Sequence, residues 1–238
     1  MLVRHKNTMN IGGLLALTFV GILLLIFSPV FGNGHNGLEY SDALFNKLAK
    51  GSSYFIPKLA KEVKELDGKQ FDVALKMEKP EQATLATKLF AAAGAQASSQ
   101  GAELKVSGNL GQVLASVLQD SDAMYHDKGS VVSTRYGGVN EKEAMATWWS
   151  ALNKIVKEFQ KSKKAEQATT ISEVMKKGIE PAYNFYGIES QKISEKAFTV
   201  LGLLLFYIAY TMWWGYAIFN IFDGLGLSMK KAKVKQEV

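Results

Sequence analysis

Hydrophobic and polar positions divide this chain into three stretches. Residues 11–31 contain no charge, and neither do residues 197–222. A bilayer core about 30 Å thick takes about 20 residues of helix at about 1.5 Å each. Both runs are long enough to cross, the second with tilt. Read as a cleaved signal peptide, the first run is too long, and no Ala-x-Ala site follows it. A retained anchor is expected.

Between the runs the pattern changes period several times. Residues 38–50 place Leu44, Phe45 and Leu48 on one helical face. Pro57 opens a second helix carrying Leu59, Val63 and Leu66. Phe71, Val73, Leu75 and Met77 alternate with polar or small residues, as in a strand with one wet face. Pro80 starts a helix that Gly94 ends. Residues 95–99 read as a weak strand, and Leu104 and Val106 mark another. Asn109 caps a helix with Leu110, Val113, Leu114, Val117 and Leu118 inward. Residues 131–136 read as a fourth strand.

The order strand, helix, strand, strand, helix, strand predicts a split βαβ unit of ferredoxin-like type. The alternative is a two-stranded patch on a helical domain. From Asn140 a long helix spaces Met145, Trp148, Leu152, Ile155 and Phe159 by threes and fours. A bend at residues 161–164 and a helix over 165–177 complete a hairpin, ended by Gly178 and Pro181. Aromatic clusters at Tyr54 and Phe55, and at Tyr183, Phe185 and Tyr186, are expected to meet near the membrane surface.

The fold class is therefore an α+β membrane protein. Two transmembrane helices flank an extracytoplasmic domain with a split βαβ unit and a helical hairpin. The expected segments are 1–10 (N-terminus), 11–31 (first span), 32–68 (membrane-proximal helices), 69–137 (α/β unit), 138–196 (hairpin), 197–222 (second span) and 223–238 (basic tail).

Charge adds an orientation. Of the formal net charge of +6, most lies beside the two runs. Arg4 and Lys6 precede the first, and Lys230, Lys231, Lys233 and Lys235 follow the second. Basic flanks stay in the cytoplasm, so both termini are expected there, in a plasma or bacterial inner membrane. The segment between the spans is then extracytoplasmic, periplasmic in a bacterium. The tail lysines suit anionic lipid headgroups rather than nucleic acid.

Candidate chemistry is sparse. The chain has no cysteine, which excludes disulfides and cysteine-ligated clusters. There is no Gly-x-Ser-x-Gly and no phosphate-binding glycine loop. His5, His35 and His126 all lie outside the uncharged runs and read as solvated. Asp120, Asp122, His126 and Asp127 are the densest metal-ligand types, but Met124 and Tyr125 break a calcium loop. No cofactor, metal or catalytic residue is expected.

The second run is unusual in carrying aromatics through its middle. Phe206, Tyr207, Tyr210, Trp213 and Trp214 fall on one broad helical face. Tryptophan and tyrosine normally gather at the two interfaces, and a buried indole N–H needs an acceptor. This face is expected to meet other integral membrane subunits. The expected function is a non-catalytic accessory subunit, with a respiratory or electron-transfer assembly the favoured class and a periplasmic component docking outside. The alternative is a two-span sensor acting through a partner.

Overall fold

A computed structural model describes residues 3–227. The chain is mostly helical, with one three-stranded sheet. It divides into two compact units: residues 1–45 with 192–238, and residues 46–191.

The first unit is built on α1 (Lys6–Phe27) and α10 (Ala197–Gly224), both long and apolar enough to cross a membrane. Helix α1 stops at Phe27 because Ser28 precedes Pro29 and is held in extended backbone. The two helices pack antiparallel along their length, with Met9 beside Gly224 and Gly12 beside Ala217 and Ile221. A Cβ at Gly12 would lie 2.7 Å from the Ile221 backbone nitrogen, so only glycine allows this approach. At the end of the pair the Arg4 and His5 N–H groups donate to the Gly224 carbonyl at 2.9 and 3.0 Å. One carbonyl at the C-terminus of α10 is thus satisfied by the two N–H groups that lead into α1.

The second unit runs through the last turns of α2 (Gly37–Ser52), α3 (Ile56–Lys64), β1 (Gln70–Lys76), α4 (Pro80–Ala92), β2 (Gln96–Gln100) and β3 (Glu103–Asn109). It continues with α5 (Leu110–Tyr125), α6 (Gly129–Arg135), α7 (Glu141–Lys161), α8 (Ala165–Val174) and α9 (Glu180–Asn184). Local signals set these bounds. Pro80 opens α4, and Gly94 follows it at φ 81°. The Asn109 side chain accepts from the Gln112 N–H, and Asn140 accepts from Lys142 and Glu143, capping α5 and α7.

The sheet order is β1-β3-β2, with both outer strands antiparallel to β3. Strands β1 and β2 are therefore parallel, joined through α4 and separated by β3, which is the split βαβ arrangement. The fourth strand is absent, and residues 131–136 lie in α6 and its C-cap. Val132 and Tyr136, four apart, are buried while Thr134 is exposed. That is a helical period; a strand would have put 132, 134 and 136 on one face.

The hairpin of α7 and α8 forms as the spacing predicts, with Met145, Trp148, Leu152, Ile155 and Phe159 all buried. Gly178 and Pro181 do not end it. Residues 175–179 continue as a π-helical turn into α9, whose first turn tolerates Pro181. Trp148 is the largest fully buried side chain, with Phe90 edge-on to it at 4.9 Å.

Candidate functional site

The aromatic face of α10 is shared between α1 and open surface. The Tyr210 hydroxyl donates to the Phe19 carbonyl and the Trp213 Nε1–H to the Leu15 carbonyl, both at 3.2 Å. Phe19 stacks on Tyr210 at 4.1 Å and tilts against Trp214 at 4.6 Å, and Phe206 continues the stack at 5.4 Å from Tyr210. The acceptor that the Trp213 indole requires is therefore inside the chain.

Phe206, Tyr207 and Trp214 stay open, with Tyr207 66% and Trp214 41% exposed. Among the described residues nothing accepts the Tyr207 hydroxyl or the Trp214 indole N–H. These two are seven apart, on one side of the helix. Both lie within five residues of the middle of the uncharged run, about 7 Å at about 1.5 Å per residue. Thr211 and Asn220, by contrast, turn their polar atoms back onto carbonyls of their own helix. Lys230, Lys231, Lys233 and Lys235 lie outside the described residues.

The acidic cluster separates in three directions. Asp120 is 1% exposed, and its carboxylate accepts from Arg135 Nη1 at 2.5 Å, Trp148 Nε1 at 3.0 Å and the Tyr136 hydroxyl. Asp122 accepts from the Tyr54 hydroxyl at 2.7 Å and lies beside His126. Asp127 takes Lys50 and the Gly187 N–H. Among the described residues no group of three or more ligand side chains is placed to hold a metal ion. His35 faces Glu39 at 3.4 Å, both exposed.

Two polar centres thereby tie the second unit together. Asp120 joins α5, α6 and α7. Burial pushes its carboxyl up from 3.8, against the hydrogen bonds from Tyr136 and Trp148 and the charge of Arg135. The second centre is Lys50, 2% exposed, whose Nζ reaches both Asp127 oxygens at 3.0 and 3.1 Å and lies 5.4 Å from the Tyr125 ring centre. The Tyr125 hydroxyl donates to the Lys50 carbonyl, Gln191 N–H to the Lys47 carbonyl at 3.0 Å, and Lys47 pairs with Glu189. The first and last segments of this unit are thus fastened to each other and to the end of α5. Tyr54 packs on Tyr125 and His126 beside this centre, while the Tyr186 hydroxyl, a residue before Gly187, donates to Glu141.

Sequence spacing did not reveal either centre. Asp120 follows the inward positions of α5 by one turn, at 110, 113, 114, 117 and 118, which was the available signal. A lysine at the end of a soluble-looking helix carried none.

These hydrogen-bonded phenols, of which Tyr125 and Tyr136 are buried, make stability sensitive to alkaline pH. Burial and the hydrogen bond to Asp122 raise Tyr54 from 10.0 to about 12, and burial raises Tyr125, Tyr136 and Tyr186. A raised phenol keeps its proton longer in the folded state. Its stabilising contribution is complete below pH 10 and is lost as pH rises through about 12. The domain is therefore expected to lose stability as the pH rises through that window, read as a falling urea midpoint. A urea midpoint that stays constant through it would contradict this.

Compared with protein-family models, curated proteins and solved structures, the chain matches none.

Proposed function

We propose that this chain is a non-catalytic accessory subunit of a larger membrane complex, with both termini cytoplasmic, residues 46–191 outside, and α10 as the helix that recognises its neighbour. The observation that carries the reading is the pair of unanswered donors, the Tyr207 hydroxyl and the Trp214 N–H. A polar group in hydrocarbon without an acceptor costs several kcal/mol, on the order of 2–7 by transfer measurements. Lipid tails supply no acceptor; a neighbouring helix with a Ser, Thr or backbone carbonyl does. An apolar groove of about 590 Å³, lined by Ile22, Ile26, Leu203, Phe206 and Tyr207 among others, extends the same face.

A two-span sensor acting through a partner would use the same face. It differs in needing a ligand site in residues 46–191, and the pocket between α7 and α9 favours it.

Purification of the full chain from its native membrane in mild detergent tests the subunit reading. Other integral membrane proteins are expected in fixed ratio, with respiratory or electron-transfer subunits the first to look for, and their recovery should fall when Tyr207→Ala and Trp214→Ala are combined. A monodisperse monomer carrying nothing else would overturn it.

A further inference from the structure

The second unit contains five tyrosines and two tryptophans. Tyr54, Tyr125, Tyr136, Tyr186 and Trp148 all donate to an acceptor within the unit. Tyr183 and Trp149 do not, and both line the same pocket between α7 and α9. Its volume is about 270 Å³, the room of roughly nine waters at about 30 Å³ each. Met145 and Ile179 make it apolar. Glu180 and Asn184 complete the rim, and neither side chain has a hydrogen bond or ion pair among the described residues.

The backbone explains why these groups converge. In an α-helix, residues 179, 180 and 183 would continue the register of α8. The π turn over residues 175–179 inserts a wider turn, burying Gly178 against Leu118 and resetting the face that α9 presents to α7. Turns of this kind cost hydrogen-bond geometry and occur frequently at functional sites. Here the turn directly precedes Glu180.

We infer that this pocket is a binding site for a small organic cation, an amine or quaternary ammonium attached to a compact apolar body. Trp149 and Tyr183 line the pocket with aromatic surface, Glu180 adds a carboxylate without a partner among the described residues, and Met145 and Ile179 form an apolar floor. An anion would meet Glu180 with no compensating donor on the lining except the Trp149 N–H, the Tyr183 hydroxyl and the Asn184 amide. Lys142 is the nearest cation on α7, and its ammonium lies over the rings of Tyr183 and Tyr186 at 5.5 and 5.8 Å. It occupies part of the Tyr183 ring, so the ligand's charge belongs between Trp149 and Glu180. The site stands on its own geometry, whether or not α10 binds a partner.

Titration of the full chain in detergent micelles with benzyltrimethylammonium tests this, read by calorimetry and by the rise in unfolding temperature. Saturable binding is expected, weakened about tenfold by Glu180→Gln, a difference of about 1.4 kcal/mol. Trp149→Leu should weaken it by a similar factor. Phenylacetate, which has a similar ring and the opposite charge, should not bind. The unfolding temperature of the ligand-free Glu180→Gln variant should stay unchanged, because the side chain is exposed and unpaired. The absence of saturable binding would overturn the inference, and so would equal binding by the Glu180→Gln variant or by phenylacetate.

Discussion

Replacing Asp120 with alanine is expected to destabilise the folded domain by about 3–5 kcal/mol, the range for breaking a buried charged centre from one side. The cost comes from what stays behind. Trp148 Nε1 and the Tyr136 hydroxyl are buried and lose their acceptor, and Arg135 loses its counter-charge. Each buried donor left without a partner costs about 1–3 kcal/mol. The intact centre is not thereby a large net stabiliser. Because burial raises the Asp120 carboxyl above 3.8, its contribution is greatest below that pH and declines as the pH rises through the folded value. Truncation is costly and ionisation is also unfavourable, so the residue fits a role in fixing how α5, α6 and α7 meet. Urea unfolding of the full chain in micelles measures the loss. A cost below about 1 kcal/mol would mean that water reaches these donors.

The pair at the start of the domain should respond unequally to its two halves. Asp127→Asn keeps the shape and the tolerance for the left-handed backbone at φ 59°, but leaves the Lys50 ammonium buried without a counter-charge. About 2–3 kcal/mol is expected, below the fully buried range because Asp127 is partly exposed. Lys50→Met leaves Asp127 its bond from Gly187 and access to water, and its apolar stem fills the same space. About 1 kcal/mol or less is expected. The inequality is the diagnostic result. Equal losses, or a costlier Lys50→Met, would show that Lys50 is more hydrated than its 2% exposure indicates.

What could be read from the chain followed from period and caps. Asn109 and Asn140 mark helix starts, Pro80 and Gly94 bracket α4, and the three-four spacing of α7 gives its buried face residue by residue. The two helices long and apolar enough to cross a membrane are visible as uncharged runs. The errors fall where local preference lost to packing. Val131 and Val132 favour a strand, but Val132 and Tyr136 are buried while Thr134 between them is exposed, which a helix allows and a strand does not. Gly178 and Pro181 look like a stop, yet a π turn carries the chain past them.

The candidate site was legible in part. The aromatic face of α10 could be listed from composition, but not divided, because the acceptors for Tyr210 and Trp213 are backbone carbonyls of α1, nearly two hundred residues away. Backbone acceptors have no sequence signature. Lys50 with Asp127, and Trp149 with Glu180, are likewise joined only by the tertiary fold.

Photo-crosslinking from single positions of the full chain in its native membrane tests the partner face most directly. A benzophenone amino acid at position 207 is expected to form adducts with another integral membrane protein. The same probe at Leu17, exposed on α1 and away from this face, should yield lipid adducts, and at position 213 it should yield only links to α1. Lipid adducts alone from position 207 would contradict the account and leave α10 as an anchor.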